Sequence, residues 1–279
     1  MSSSDKIKGG HIHLGKDSPY PDQYAPQLLQ AIPRAQSRDA IYSSGIPFRG
    51  CDVWTAYELS WLNDKGLPQV RIAEFLFDSA SPNIIESKSF KYYLNSLNQT
   101  RFSSQEVLLA TLKNDLSQVS GTVVDIKMFN LDNDYVVSSI PGQCVDTLDV
   151  AIDTYEPETQ LLEMEAGDTV NTVTTEQLYT NLLKTNCPVT GQPDWATIWI
   201  EYSGKKIKPQ SFLKYVVSLR QHQDFHETSV EQIFYDVLTY CQPTQLSVYA
   251  RYTRRGGLDI NPFRTTTNQG IPFGRSSRQ

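Results

Sequence analysis

Ser89-Phe90-Lys91-Tyr92-Tyr93-Leu94-Asn95-Ser96-Leu97 recurs in altered form as Ser211-Phe212-Leu213-Lys214-Tyr215-Val216-Val217-Ser218-Leu219. Matching positions carry Ser, Phe, Tyr, an aliphatic residue, Ser and Leu. Phe90, Tyr93, Leu94 and Leu97 fall at i, i+3, i+4 and i+7, as do Phe212, Tyr215, Val216 and Leu219. That spacing lays one apolar stripe along a helix. Amphipathic helices can converge on such a likeness, so the neighbouring segments decide the matter. A second helix follows in each half, where Ser103 with Glu106 and Thr228 with Glu231 have capping-box spacing. Leu109, Leu112 and Leu116 would line the first of these helices, and Val230, Ile233, Phe234, Val237 and Leu238 the other. Strand-like runs come next, at Thr122 to Phe129 and Leu246 to Tyr252.

Strand candidates also precede each helix pair: Val53 to Trp61 with Gln69 to Phe77, and Glu176 to Leu183 with Trp195 to Tyr202. Asp149 to Tyr155 and Leu258 to Arg264 would be closing strands. Each half therefore reads β-β-α-α-β-β. Two hairpins joined through a helix pair predict an α+β fold, with an antiparallel sheet and two helices on one face, built twice. The expected division is an N-terminal arm at 1–35, a first module at 36–160 and a second at 161–279, with the boundary in the acidic segment from Glu156 to Glu165. The arm, with Tyr20-Pro21, Tyr24-Ala25-Pro26 and a turn around Leu28 to Arg34, has no expected match in the second half.

The chain has 279 residues, 39% of them hydrophobic, which suffices for a real core. A net charge of −6 argues against a polyanion as the main partner, so no direct nucleic-acid binding is expected. No run of eighteen apolar residues suggests a membrane span, and Met1 to Lys6 lacks the apolar stretch of a signal peptide. Cys51, Cys144, Cys187 and Cys241 are scattered, and are expected to be reduced thiols of a cytoplasmic protein.

Cys187 stands out among them. It opens Cys187-Pro188-Val189-Thr190-Gly191-Gln192-Pro193-Asp194, a loop stiffened by two prolines and turned by a glycine, with a carboxylate at its end. A thiolate is the nucleophile, and at neutral pH an ordinary thiol is mostly protonated, so a useful site needs a base or a positive field. Asp194 could exchange the proton. A small buried thiol is the plain alternative. Glu86-Ser87-Lys88-Ser89-Phe90-Lys91 opens the first repeated helix, where free backbone N–H groups, a lysine and hydroxyls suit a phosphate; an ordinary helix cap is the alternative. His226 can shuttle protons, and Glu227 can accept two parallel N–H bonds from an edge like that of guanine, unless both belong to a surface cap. Arg254-Arg255-Gly256-Gly257 could hold phosphate or simply be a solvated hairpin tip. Cys187, His222, His226 and Cys241 are zinc-ligand types, but no C-x-x-C or H-E-x-x-H spacing supports a metal. Neither a G-x-G-x-x-G fingerprint nor a Walker loop is present, so a nicotinamide cofactor would bind outside a Rossmann fold.

Together these segments resemble the NADPH-dependent 7-cyano-7-deazaguanine reductase family in its long, bimodular form. The likeness is carried by Glu86 to Lys91, by Cys187 through Asp194-Trp195, by Phe225-His226-Glu227 and by Arg254-Arg255-Gly256-Gly257. It implies tandem tunnelling-fold modules, a homodimer, and reduction of a nitrile to a primary amine with two NADPH, in queuosine biosynthesis for tRNA modification. The substrate would be the free base. The resemblance implies Cys187 as the nucleophile of a covalent thioimide, with Asp194 and His226 handling protons. Ile85, Glu86, Ser87, His226 and Glu227 would hold the substrate, and Ser87, Lys88, Arg255 and Gly256 the NADPH. No metal is implied. A zinc-dependent GTP cyclohydrolase-like enzyme on the same fold, or a non-catalytic purine-binding module, are the alternative readings.

Overall fold

The repeated Ser-Phe pattern does form paired helices in the computed structural model, which describes residues 21–42, 45–132, 135–165 and 174–279. The first half contains β1 (Ala31–Pro33), α1 (Ala35–Ile41), β2 (Arg49–Leu62), β3 (Pro68–Asp78) and β4 (Asn83–Ile85). It continues with α2 (Ser87–Ser96), α3 (Gln105–Ser120), β5 (Asp125–Phe129) and β6 (Gln143–Cys144). The second half contains β7 (Thr174–Asn186), β8 (Pro193–Gly204), α4 (Pro209–Ser218), α5 (His226–Cys241), β9 (Gln245–Tyr252) and β10 (Leu258–Thr265).

Among the described residues eight strands form one sheet in the order β5-β3-β2-β10-β9-β8-β7-β6. Every neighbouring pair is antiparallel except β6–β7. The halves meet where β10 pairs along its whole length with the first part of β2, Leu258↔Ala56 to Thr265↔Arg49. Both long hairpins carry a register shift at the same place, between Ala56 and Leu59 and between Thr180 and Leu183. The helices cover one face and enclose two apolar clusters, one around Phe90, Tyr93 and Leu112 and one around Phe212, Tyr215 and Ile233. This is the expected α+β architecture in tandem.

Some details depart from expectation. Asp149 to Tyr155 is not a strand. Leu148, Val150 and Ile152 pack against the second half's core instead, so the segment lies on a module rather than extending its sheet. Ser104, not Ser103, caps α3, accepting from Val107 N–H at 3.3 Å. That shift by one residue turns Leu108 rather than Leu109 fully into the core. Thr228 is inside the first turn of α5, whose N-cap is Phe225, and Glu231 is buried against Arg38 and Arg264 at 2.7 Å each.

The arm does have a counterpart. Ala25 N–H and Gln30 N–H donate to Ser96 Oγ and Ser89 Oγ, at 3.2 and 3.1 Å. Glu158 N–H and Glu163 N–H make the same two bonds to Ser218 Oγ and Ser211 Oγ, at 3.2 and 3.1 Å. A 3-10 turn separates the anchors in each case, Pro26–Leu28 and Thr159–Leu161. The two segments share Gln-Leu-Leu, at Gln27 to Leu29 and Gln160 to Leu162, while the anchoring positions themselves differ because their bonds come from the backbone. The part of the arm before Pro21 lies outside the described residues. Arg34 of the arm pairs with buried Asp52, which also meets Arg264 at 2.7 Å, so arm, first half and second half share one buried ion network.

Candidate active site

A cavity of about 500 Å³ opens where the two halves meet. The first half contributes Trp54 and the segment Ile84 to Lys88 with Lys91. The second contributes Cys187 to Thr190, Asp194, Asp224 to Glu227, Arg255, Gly256, Leu258 and Ile260. Ile85, Glu86, Ser87, Lys88, Cys187, Asp194, His226, Glu227, Arg255 and Gly256 are thus all brought to one place.

The cysteine loop is the β7–β8 turn. Cys187 N–H donates to Gln192 carbonyl and Gly191 N–H donates to Cys187 carbonyl, each at 2.9 Å, and Gly191 takes a left-handed φ of 68° to close the turn. Partial burial pushes the thiol up, but hydrogen bonds from the Thr190 hydroxyl and N–H, Val189 N–H and Arg255 outweigh it and hold the thiol below its ordinary value. The positive field that a nucleophilic thiolate requires is therefore local.

Asp194 is buried at the start of β8. Its Oδ1 lies 3.0 Å from Arg255 Nε and its Oδ2 lies 3.3 Å from His226 Nε2. The imidazole lies flat on Tyr252, centroids 3.6 Å apart, with Nδ1 at 3.3 Å from the carbonyl oxygen of Ile260. A carbonyl only accepts, so Nδ1 carries its hydrogen. Nε2 then faces a carboxylate, and the contact becomes a hydrogen bond when the pair holds one further proton. The His226–Asp194 contact and the Cys187 thiol line the same cavity.

Glu227, in the first turn of α5, is 4% exposed, and its Oε1 has no hydrogen-bond partner among the described residues. Burial pushes its carboxyl up to about 7; the Asp52 charge adds to the push, while Arg34 and His226 oppose it. An unpartnered buried acceptor at a cavity wall is costly unless a ligand supplies the donor. Glu86 is placed differently. It is the N-cap of α2, and its carboxylate accepts from Lys88 N–H at 2.9 Å and Ser89 N–H at 2.6 Å. The helix-start N–H groups expected to attract phosphate are thereby occupied by the chain's own carboxylate. Cationic capacity falls to the side chains of Lys88, Lys91 and Arg255.

Lys91 is a cavity residue to which its motif alone assigns no role. Burial and Arg255 lower its pKa, against the pull of Glu86, Asp194 and Cys187. Its stem lies 3.6 Å from where a side chain on Gly256 would begin. Its place three residues after Lys88 was the available signal, since i and i+3 share a helix face. Phe225 and Trp54 supply flat apolar walls; Phe225 belongs to the matching Phe225-His226-Glu227 segment, whereas Trp54 stands in an ordinary strand pattern. Arg254 turns elsewhere, with its guanidinium 4.5 Å from the Tyr57 ring centroid. Cys241 is a core thiol, pushed up to about 11 by burial. Among the described residues no group of three His, Cys, Asp or Glu side chains is arranged to hold a metal ion, and no helix is long and apolar enough to cross a membrane.

Residues 20–128 match the family profile described as nitrile reductase, 7-cyano-7-deazaguanine-reductase N-term, and residues 193–270 match that of QueF-like protein. The NADPH-dependent 7-cyano-7-deazaguanine reductase of Saccharophagus degradans is 52% identical over 96% of this chain and 99% of its own length. The chain belongs to the 7-cyano-7-deazaguanine reductase family. Relatives of the same name in Teredinibacter turnerae and Bordetella parapertussis are 52% and 50% identical, covering 90% and 95% of this chain and 90% and 97% of their own. The first profile spans the Glu86 to Lys91 wall, and the second spans Asp194, His226, Glu227, Arg255 and Gly256. This family's two profiles therefore meet at the cavity, with Cys187 in the interval between them.

Proposed function

We propose that Cys187 attacks the nitrile carbon of 7-cyano-7-deazaguanine in an NADPH-dependent reduction to 7-aminomethyl-7-deazaguanine. The chain is an oxidoreductase of that class, serving queuosine biosynthesis. The observation that carries the site assignment is the juxtaposition of a hydrogen-bonded thiol, the Asp194–His226 pair and the unpartnered Glu227 oxygen in one cavity.

The carbon–sulfur bond forms as one carbon–nitrogen π bond breaks, and the Asp194–His226 pair delivers a proton to nitrogen. The product is a thioimide on Cys187, whose carbon accepts hydride better than a nitrile carbon does. NADPH supplies hydride, and nitrile to amine is a four-electron change, so two are consumed. Cys187 leaves as thiolate after the first reduction, giving an imine, and the hydrogen bonds that lower its pKa favour that departure. His226 and Asp194 protonate nitrogen again as the amine forms. Glu227 accepts from the N–H edge of the pyrimidinone. Glu86 lies alongside with each carboxylate oxygen already accepting once, while Ile85, Trp54 and Phe225 sandwich the ring. Ser87, Lys88, Lys91, Arg255 and Gly256 form the side that suits the dinucleotide phosphates. The substrate is a free base, which reconciles a tRNA pathway with an acidic protein and needs no direct nucleic-acid contact.

The same reading makes the protein a cytoplasmic homodimer, with an arm at 1–35 and two modules, of which the second takes in the stretch from β6 onward instead of beginning at 161. Its sheet has open edges at β5 and at β6–β7 among the described residues, and a second copy could extend both. Light scattering should return twice 31.6 kDa.

Mixing the reduced protein with 7-cyano-7-deazaguanine and following NADPH absorbance tests the activity, and silence there sinks it. Without NADPH, intact mass should show an adduct on the wild type that Cys187→Ala abolishes. An adduct persisting on the variant would remove Cys187 from the role.

A further inference from the structure

His226 depends on Tyr252 for its seat, and the sheet alone does not hold Tyr252. β9 and β10 pair at Thr265↔Ser247, Arg264↔Val248 and Phe263↔Tyr249, and the ladder stops there. Continued, that register would set Ala250 against Pro262 and Tyr252 against Ile260. Pro262 has no N–H to give. Past it the Ile260 carbonyl turns to His226 Nδ1. Tyr252 is fully buried, so its backbone groups need other partners.

Two side chains supply them. Asn261 Oδ1 accepts from Tyr252 N–H at 3.0 Å, and Gln279 Nε2 donates to the Tyr252 carbonyl at 2.9 Å. Gln279 is itself 3% exposed and saturated. Its Nε2 also reaches Asn261 Oδ1 at 2.8 Å and Asp259 Oδ2 at 3.2 Å. Its Oε1 accepts from Arg251 Nε at 2.6 Å and from Ser276 N–H at 3.0 Å. One amide thus ties the end of β9 to the start of β10 across the gap that admits the imidazole.

We infer that Gln279 is a positioning residue for His226, replacing the missing ladder bonds and fixing both the stacking surface and the carbonyl that orient the ring. The inference rests on the role proposed above for His226. Gln279 lines no part of the cavity and touches neither Cys187 nor Glu227, so its effect should run through the imidazole alone.

The test uses Gln279→Met, which keeps length and loses both polar functions, and Gln279→Asn. The latter keeps an uncharged amide but withdraws it by one methylene from Tyr252 and Asn261, so it serves if the methionine variant does not fold. Either should lower kcat about tenfold, the scale of a slightly misplaced catalytic group, with KM for the nitrile within about twofold of wild type. In a His226→Ala background the same substitution should change kcat by less than about twofold, because the group it positions is gone. The His226 ring resonances, shifted by the Tyr252 face, should move in both variants without any turnover being measured. Equal losses in the two backgrounds, a raised KM with kcat intact, or unmoved His226 resonances would each overturn the inference. Failure of the functional reading is distinguishable: the wild type itself would then form no adduct and consume no NADPH, while the resonance comparison would still decide the positioning.

Discussion

Thr190 shows how much a single hydroxyl can decide. Its side chain and backbone N–H are the leading hydrogen-bond contributors that hold the Cys187 thiol below its ordinary value. Thr190→Val keeps the shape and removes the hydroxyl donor, so the thiol should ionise at higher pH. The midpoint of iodoacetamide alkylation against pH should move upward, and an unchanged midpoint would leave the backbone and Arg255 as sufficient causes. Glu227 works in the opposite direction. Its carboxyl sits at about 7 because burial disfavours the charged form. The N–H donors of a pyrimidinone edge pair best with the ionised carboxylate. Substrate affinity should therefore rise as pH increases through about 7, and Glu227→Gln should flatten that rise. Calorimetry on the Cys187→Ala background, where no adduct forms, measures it directly.

At the scale of elements, each helix pair is clasped by a tyrosine and an aspartate. Tyr93 Oη donates to Asp115 Oδ2 and Tyr215 Oη to Asp236 Oδ2, both at 2.6 Å. The clasps are not equivalent. Asp115 Oδ2 also accepts from Tyr24 of the arm at 2.8 Å, whereas Asp236 is otherwise met by Gln232 at its other oxygen. Tyr215→Phe strands a buried acceptor and should cost about 2 kcal/mol of stability, and Tyr93→Phe distinctly less. Urea unfolding compares them; equal losses would mean that Tyr24 contributes nothing. The repeat was legible wherever it was written in side chains on an apolar stripe, as at Phe90 and Phe212. In the docking segments before each module only a shared Gln-Leu-Leu, Gln27 to Leu29 and Gln160 to Leu162, marks the repeat, while Ala25 and Glu158 do the same work through backbone N–H groups. The strand expected at Asp149 to Tyr155 shows the converse: its apolar residues Val150 and Ile152 do pack, but on the second half's core without joining the sheet. The thiol loop, His226 and Glu227 were legible as reactive types. Lys91 and Gln279 were not, since a lysine on a helix and a glutamine near the chain end acquire roles only from what surrounds them.

The whole molecule is a duplication in which the loop and helix start of the second half carry reactive residue types that their first-half counterparts lack. Superposing the clasps sets Gln105 and Glu106 of α3 where α5 has His226 and Glu227. The β2–β3 turn, Asn63 to Leu67, takes the place of the Cys187 loop, and it offers no thiol. Glu86, the N-cap of α2, corresponds to Lys208 at α4, because Glu86 N–H donates to Gln30 carbonyl as Lys208 N–H does to Glu163 carbonyl. Lys208 reaches out to pair with Glu163 at 2.6 Å. The candidate cavity takes its α2 wall from one half and its thiol loop from the other, so each half supplies what the other lacks. One substrate should therefore bind per chain, however many chains assemble. Titrating the wild type with the nitrile in the absence of NADPH, with intact mass as readout, should saturate at one adduct per chain. Lys208→Glu should leave that value unchanged, since the second location lacks the nucleophile as well as the carboxylate. A second equivalent of bound mass, or an adduct that survives Cys187→Ala in the Lys208→Glu background, would mean that the other half-sites retain chemistry that their residues do not suggest.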